Sequence, residues 1–249
     1  MTNPELHFSD LKHMAQSPAH YRAGLETGFV ATRSMNKGTL LHSIVLGGEY
    51  VVYPGERRGN AWKDFEAANE GKFIVTQKEY DVGHFAADAV LADRVAAPLL
   101  VGRHEHGWRT ELYGRPCAGR IDVAGAGFTT DLKSTRDATP WRFQRDCLRM
   151  AYHAQLGWYG DARRAMGEDP GEHFIVGVEL KPPYPVTVLR VVPRALEEGR
   201  KLVRLWLEQL RACEESDEWP SYTQSVVDLD IVEDDELIIG GEESADDAA

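Results

Sequence analysis

The chain has 249 residues, 43% of them hydrophobic, enough to build a substantial core in one large domain or two small ones. No run of about 18 apolar residues occurs, so no transmembrane helix is expected, and "MTNPELHFSDLKHMAQ" has neither the basic region nor the apolar core of a signal peptide. The net charge of −12 argues at first against nucleic acid, but residues 228–249 hold ten acids and no lysine or arginine, leaving 30 acids against 28 bases elsewhere. A near-neutral body of that kind permits a basic groove without indicating one.

In chain order, "FSDLKHMAQSPAHYRAG" reads as a helix capped by Ser9, with Leu11, Met14 and Ala15 on one side and an interruption at Ser17-Pro18. "NKGTLLHSIVLGGE" (36–49) is a short apolar helix ended by Gly47-Gly48. Residues 50–75 are mixed and turn-rich. "TQKE", Thr76 to Glu79, is a capping box that opens a helix to about residue 92, with another turn or two near 94–101. "WRTELYG", "PCAGRIDVA" and "FTTDLK" are three short runs split by Gly114-Arg115-Pro116 and Gly125-Ala126-Gly127, an antiparallel meander over 108–133. Thr139-Pro140 opens a long helix to about Met166. Residues 173–180 and 185–192 read as strands around Pro182-Pro183. Pro193 opens a last helix to about Cys213, striped by Leu196, Gly199, Val203, Trp206 and Leu210.

This order predicts an α+β fold, a central mixed β-sheet with an antiparallel meander flanked by helices. A single domain over 1–227 is expected, mostly helical over 1–107 and with its core over 108–213. Residues 228–249 read as an acidic, flexible tail. Cys117, Cys147 and Cys213 are odd in number and far apart, which suits neither a disulfide framework nor an iron–sulfur or zinc site, so a reducing, cytoplasmic setting is expected.

The chemistry is sought among acid–lysine pairs. Phosphodiester hydrolysis needs a cation to neutralise the phosphate and activate water, carboxylates to hold it, and a lysine to orient water or steady charge. Four of the eight lysines follow an acid by two residues, so the spacing alone says little. Asp10-Leu11-Lys12 lies in a helix, where i and i+2 face apart. Glu70-Gly71-Lys72 sits at a turn. Glu179-Leu180-Lys181 ends a strand but runs into a Pro-Pro loop. Asp131-Leu132-Lys133 lies on a strand, where i and i+2 share a face, with Asp122 across the glycine turn. On spacing alone, solvated hairpin charges remain the favoured reading of that group. Behind it, Tyr152, Gln155 and Tyr159 form one helical stripe, next to an apolar one of Phe143, Cys147, Ala151, Ala154 and Trp158. His104-Glu105-His106 reads as a polar loop without further ligands.

With "GTLLH" (38–42), "GRID" (119–122), "DLKST" (131–135) and "QLGWY" (155–159) in that order, the chain resembles the PD-(D/E)XK nuclease superfamily, and within it the RecE-type phage recombination exonucleases (exodeoxyribonuclease VIII-like). The resemblance runs from "FSDLKHMAQSPAHYR" to residue 160. It implies a restriction-endonuclease-like core and Mg²⁺ or Mn²⁺ held by His42, Asp122, Asp131 and the Leu132 carbonyl, with Glu111 as an extra acidic position. It also implies Lys133 as the catalytic lysine, and Gln155 and Tyr159 as supports of the site. Read from the residues alone, a histidine on an apolar helix satisfied by a backbone carbonyl is the favoured reading of His42. The superfamily's Pro-Asp is Ile121-Asp122 here, and the iron–sulfur cysteines of some relatives are absent from the sequence. The implied activity is exonucleolytic digestion of double-stranded DNA, 5′ to 3′, leaving 3′ overhangs for a single-strand annealing partner. The enzyme would be a homo-oligomeric ring without a membrane association. A structure- or single-strand-specific endonuclease, or a non-catalytic DNA-binding protein with a vestigial site, are the alternatives.

Overall fold

Strand alternation in the middle of the chain becomes the spine of a six-stranded mixed sheet. The computed structural model describes residues 5–27, 33–223 and 225–228, without the side chains of 33–36; the expected acidic tail, from residue 229 on, lies outside the described residues. The meander is β4 (Arg103–Leu112), β5 (Arg115–Gly125) and β6 (Phe128–Thr135), followed by β7 (Glu172–Glu179) and β8 (Val186–Arg190). A short β1 (Leu6–His7) completes the sheet, in the order β1-β5-β6-β7-β8 with β4 also paired to β5. The β1–β5 and β6–β7 pairs are parallel and the others antiparallel.

Helices cover both faces. On one, Phe8 and Leu11 of α1 (Phe8–Leu11), Leu156 and Trp158 of α7 (Tyr152–Ala165) and Val203 and Trp206 of α8 (Pro193–Ser216) pack over Ile121 and Ile175. On the other, Leu41 and Val45 of α3 (Arg33–Leu46) and Ala86 and Val90 of α5 (Gln77–Ala92) pack over Val123, Leu132 and Val176. The Thr76–Glu79 capping box closes as expected, and Gly47 ends α3 with φ +88. The whole α8 stripe from Leu196 to Leu210 is buried. At Gly199 a Cβ would stand 2.7 Å from the Ala154 backbone, so only glycine lets α8 approach α7 this closely. Among the described residues no helix is long and apolar enough to cross a membrane.

Five expectations are corrected. The first helix is three short pieces: α1, a 3₁₀ turn at Lys12–Ala15 and α2 (Pro18–Thr27). Its N-cap is His7 rather than Ser9, because the sheet captures Leu6 and His7 as a strand and helix can begin only after them. Residues 50–75 hold β2 (Val51–Tyr53), α4 (Gly59–Ala68) and β3 (Ile74–Thr76), with β2 and β3 paired as a separate parallel ribbon. The long helix after Pro140 breaks at Ala151, φ +56, into α6 (Pro140–Arg149) and α7. The break lets Phe143 pack on Gly177 of β7 while Ala154 faces α8. Finally, β4 begins at Arg103, so His104-Glu105-His106 is strand and not loop.

Candidate metal centre

β5 and β6 form a fork. They pair only from Val123↔Thr130 to Gly125↔Phe128. Beyond that rung they separate, and the first half of β5 takes β1 as its neighbour instead, through Leu6↔Cys117 and His7↔Ala118. Asp122 and Asp131 are the first residues past the last paired rung, one on each prong. Both are buried, Asp131 completely. The Leu132 N–H, which a continued ladder would satisfy from the β5 backbone, donates instead to Asp122 Oδ2 at 2.7 Å.

The other neighbour of β5 is irregular at the same level. His104 pairs with Val123 and His106 with Ile121, while Glu105 between them has φ +47. A left-handed residue inside a strand re-aims its side chain as a bulge does. Glu105 is thereby directed at the fork. From the helical layer, His42 of α3 places Nε2 2.7 Å from the Leu132 carbonyl oxygen. A carbonyl only accepts, so Nε2 carries a proton and Nδ1 is left facing Asp122 Oδ1 at 3.6 Å and Glu105 Oε1 at 3.9 Å. Ligand atoms of His42, Glu105 and Asp122 lie within 4.8 Å of one another.

Three carboxylates at the fork are opposed by Lys133 and by Arg120, whose Nε is 2.5 Å from Glu105 Oε2. Burial, and then the neighbouring Asp131 charge, push the Asp122 carboxyl up to about 6. Burial disfavours a charged His42, but Glu105 and Asp122 outweigh it and raise its pKa. The contact with His42, then Arg120, holds Glu105 low against burial. A lone pair aimed between two carboxylates is repulsive unless a proton or a cation sits among them. Asp131 adds the same demand, for its Oδ1 is buried without a hydrogen-bond partner while its Oδ2 meets the Lys133 ammonium at 2.6 Å. The donor set, carboxylate oxygens with one imidazole whose second nitrogen is fixed by a carbonyl, fits a hard divalent cation.

Lys133 bridges this centre and α7. Its ammonium lies 4.7 Å from the centre of the Tyr152 ring. Burial disfavours its charge, but Asp131 and Asp122 outweigh that and raise its pKa. Gln155 donates to the Tyr159 hydroxyl at 2.8 Å, and burial with the Asp131 and Asp122 charges keeps that phenol protonated.

The sequence-derived residues therefore fall into groups. His42, Asp122, Asp131, Leu132 and Lys133 meet at the fork, with Gln155 and Tyr159 behind them. The Leu132 carbonyl, expected as a metal ligand, accepts from His42 Nε2, so that histidine is satisfied by a backbone carbonyl while its Nδ1 faces Asp122 and Glu105. Glu111 does not reach the site. It is exposed and paired with Pro116, six residues along β4 from Glu105, roughly 20 Å away at strand rise. The acid of β4 at the fork is Glu105, which the sequence reading placed in a loop. Glu179 accepts from the Ala138 N–H at 2.8 Å and braces the turn before α6. Glu70 and Lys72 are exposed around Gly71, φ +77. Lys12 is exposed as expected, and burial of its stem and then the like charge of Lys133 lower its pKa. Arg163, absent from the sequence reading, is buried and ties the β5–β6 turn together, donating to the Phe128 and Gly125 carbonyls and to Thr129 Oγ1 and pairing with Glu168.

A mixed sheet with two acids and a lysine on a forked hairpin, sandwiched by helices, defines a PD-(D/E)XK nuclease-type protein. The chain belongs to the family described as a PDDEXK-like domain of unknown function (DUF3799), whose model matches residues 7–227. Among solved structures it is similar to one from Eubacterium rectale described as "Putative exonuclease", with 16% sequence identity and a TM-score of 0.67 over 92% of this chain and 91% of that one. No curated protein matches the chain.

Proposed function

We propose that this protein is a deoxyribonuclease dependent on Mg²⁺ or Mn²⁺, acting as a RecE-type exonuclease on double-stranded DNA ends. The observation that carries the reading is the convergence of His42, Glu105 and Asp122 beside the Asp131–Lys133 pair. The bound cation would supply charge neutralisation at the phosphate and acidify its water. His42, Glu105, Asp122 and the second oxygen of Asp131 would hold it. Lys133 stays an ammonium at neutral pH, so its role is to orient the attacking water and steady charge on the phosphate rather than to remove a proton. Asp131 and the Tyr152 ring hold that ammonium in place, while Gln155 and Tyr159, hydrogen-bonded to each other, line α7 behind it. Action 5′ to 3′, 3′ overhangs for an annealing partner, and a ring of identical subunits follow from the RecE-type resemblance.

The test is digestion of end-labelled linear duplex in Mg²⁺ by wild type, Asp122→Ala, Lys133→Ala and Glu179→Ala. The first two variants should lose cleavage by about 10²-fold or more, and Glu179→Ala should keep most of it. Full activity in Lys133→Ala overturns the site, and internal cuts in a closed circular duplex replace the exonuclease with an endonuclease.

A further inference from the structure

α6 forms the rim of the site, and both its ends are tied to the centre. The helix leaves β6 shortly after Lys133 and ends beside Tyr152, whose ring carries the Lys133 ammonium. Its inner face is anchored by buried Phe143 and Cys147. On the outer face Arg142, Arg145 and Arg149 are spaced by three and four residues, one line about 10 Å long. Trp141, 55% exposed, Leu148 and Met150 flank them, with the Arg142 guanidinium 5.1 Å above the Trp141 ring. Arg142 pairs with Asp137 and Arg149 with Asp146, both at 3.1 Å. Those pairs stand in water, where such contacts are weak and exchange readily for phosphate. Residues 136–150 carry four arginines against two aspartates in a chain whose net charge is −12.

A face that served only solubility would not keep a tryptophan and two more apolar side chains among its arginines. A duplex would use the arginines but hide its bases from the indole. An unpaired strand uses both, its phosphates meeting guanidinium groups while a base stacks on the ring. We propose that the outer face of α6 is a platform for a single-stranded stretch of nucleic acid beside the metal centre, with Trp141 stacking on a base and Arg142, Arg145 and Arg149 tracking the phosphates. The assignment of that strand as substrate or product rests on the nuclease reading above; the binding itself does not.

The test measures fluorescence anisotropy of a labelled 20-base oligothymidine and of a blunt duplex with the full chain in EDTA, so that nothing is cut. Trp141→Ala should weaken oligothymidine binding by about tenfold or more and leave duplex binding nearly unchanged, with Trp141→Phe close to wild type. Arg142→Ser with Arg149→Ser should flatten the salt dependence of log K by about 1.4 in slope. All three variants should melt as wild type does. Unchanged oligothymidine binding by Trp141→Ala, or equal losses for duplex and single strand, overturns the platform. So does binding to phosphatidylserine–phosphatidylcholine vesicles without binding to oligothymidine, which would make α6 a membrane-surface helix. Oligothymidine binding by a protein that does not cleave linear duplex in Mg²⁺ overturns the nuclease and leaves the platform standing; duplex cleavage with an inert Trp141 does the reverse.

Discussion

Asp122→Asn should stabilise the cation-free protein. The wild-type carboxyl is moved from 3.8 to about 6, first by burial and then by Asp131. A carboxyl raised in the folded state costs folding free energy above its folded pKa, and the cost disappears as pH falls through about 6 to 3.8. At about 1.4 kcal/mol per tenfold, the full cost at pH 7.5 is about 3 kcal/mol, and about half of it remains at pH 5. Asparagine removes the charge, and its amide oxygen can still accept from the Leu132 N–H, so a net gain of about 1–3 kcal/mol is expected. For a domain of this size that is a rise in Tm of about 3–10 °C. The assay is thermal unfolding by circular dichroism in EDTA at pH 7.5 and 5, repeated in Mn²⁺. The variant should melt above wild type in EDTA, by less at pH 5, and lose most or all of that lead in Mn²⁺, since cation at a hundredfold over Kd adds about 2.7 kcal/mol to wild type alone. A variant that melts below wild type in EDTA at pH 7.5, or a gap that does not narrow at pH 5, would refute the electrostatic account of the fork.

Glu105→Gln should raise the Mn²⁺ concentration needed for half-maximal thermal stabilisation by about 10–100-fold while Glu111→Gln changes nothing; the opposite result would restore the position first read from sequence. Arg163→Met should cost about 3 kcal/mol or more in urea unfolding, because it leaves the hairpin carbonyls at Gly125 and Phe128 without their buried donor while Glu168 keeps Arg103; a loss near zero would mean the hairpin is held elsewhere. His173 is held down to about 4 by burial, then by Arg164, Arg200 and Arg163. Its folded pKa lies below the ordinary 6.5, so its stabilisation is complete above pH 6.5 and fades by up to about 3 kcal/mol towards pH 4. His173→Gln should flatten the pH dependence of stability in that window, and an unchanged slope would show that His173 does not titrate there.

Sheet and core were legible because the hydrophobic period switches from 3.6 to 2 at the meander and back after Pro140 and Pro193. The short ribbon of β2 and β3 was not, since three residues carry no period. Nor was β1, whose two residues pair only because β5 and β6 part. The error at Glu105 is more instructive. Placing the first turn at Gly114-Arg115-Pro116 sets the wrong register, whereas the observed turn at Tyr113-Gly114 pairs Leu112 with Arg115. Positions equidistant from that turn then face each other, which puts Glu105 opposite Asp122. A two-residue turn with both residues at positive φ, Tyr113 at +56 and Gly114 at +74, is the form a tight hairpin prefers, but Tyr-Gly is not among the dipeptides that announce it. Arg163 could not be found this way. Besides Thr129 and Glu168 it binds backbone carbonyls of a distant hairpin, which leave no mark on side-chain pattern.

The irregularities of the sheet coincide. At one rung β5 leaves β6, Glu105 takes a left-handed φ, Leu132 exchanges its ladder partner for a carboxylate, and Asp131 is buried with Oδ1 unpartnered and Oδ2 against the Lys133 ammonium. Each is locally unfavourable, and a sequence selected only for stability would not gather them. Below the fork the same strands are regular and braced by buried Arg163, so the departures are not slack in the fold. What they share is negative potential aimed at one point. His42, Glu105 and Asp122 can all be satisfied there by a single cation, which would also relieve the proton that His42 Nδ1 otherwise needs between two carboxylates. The local cost of the fork is thus the counterpart of its affinity: the features that weaken the cation-free hairpin are those that a divalent ion would bind.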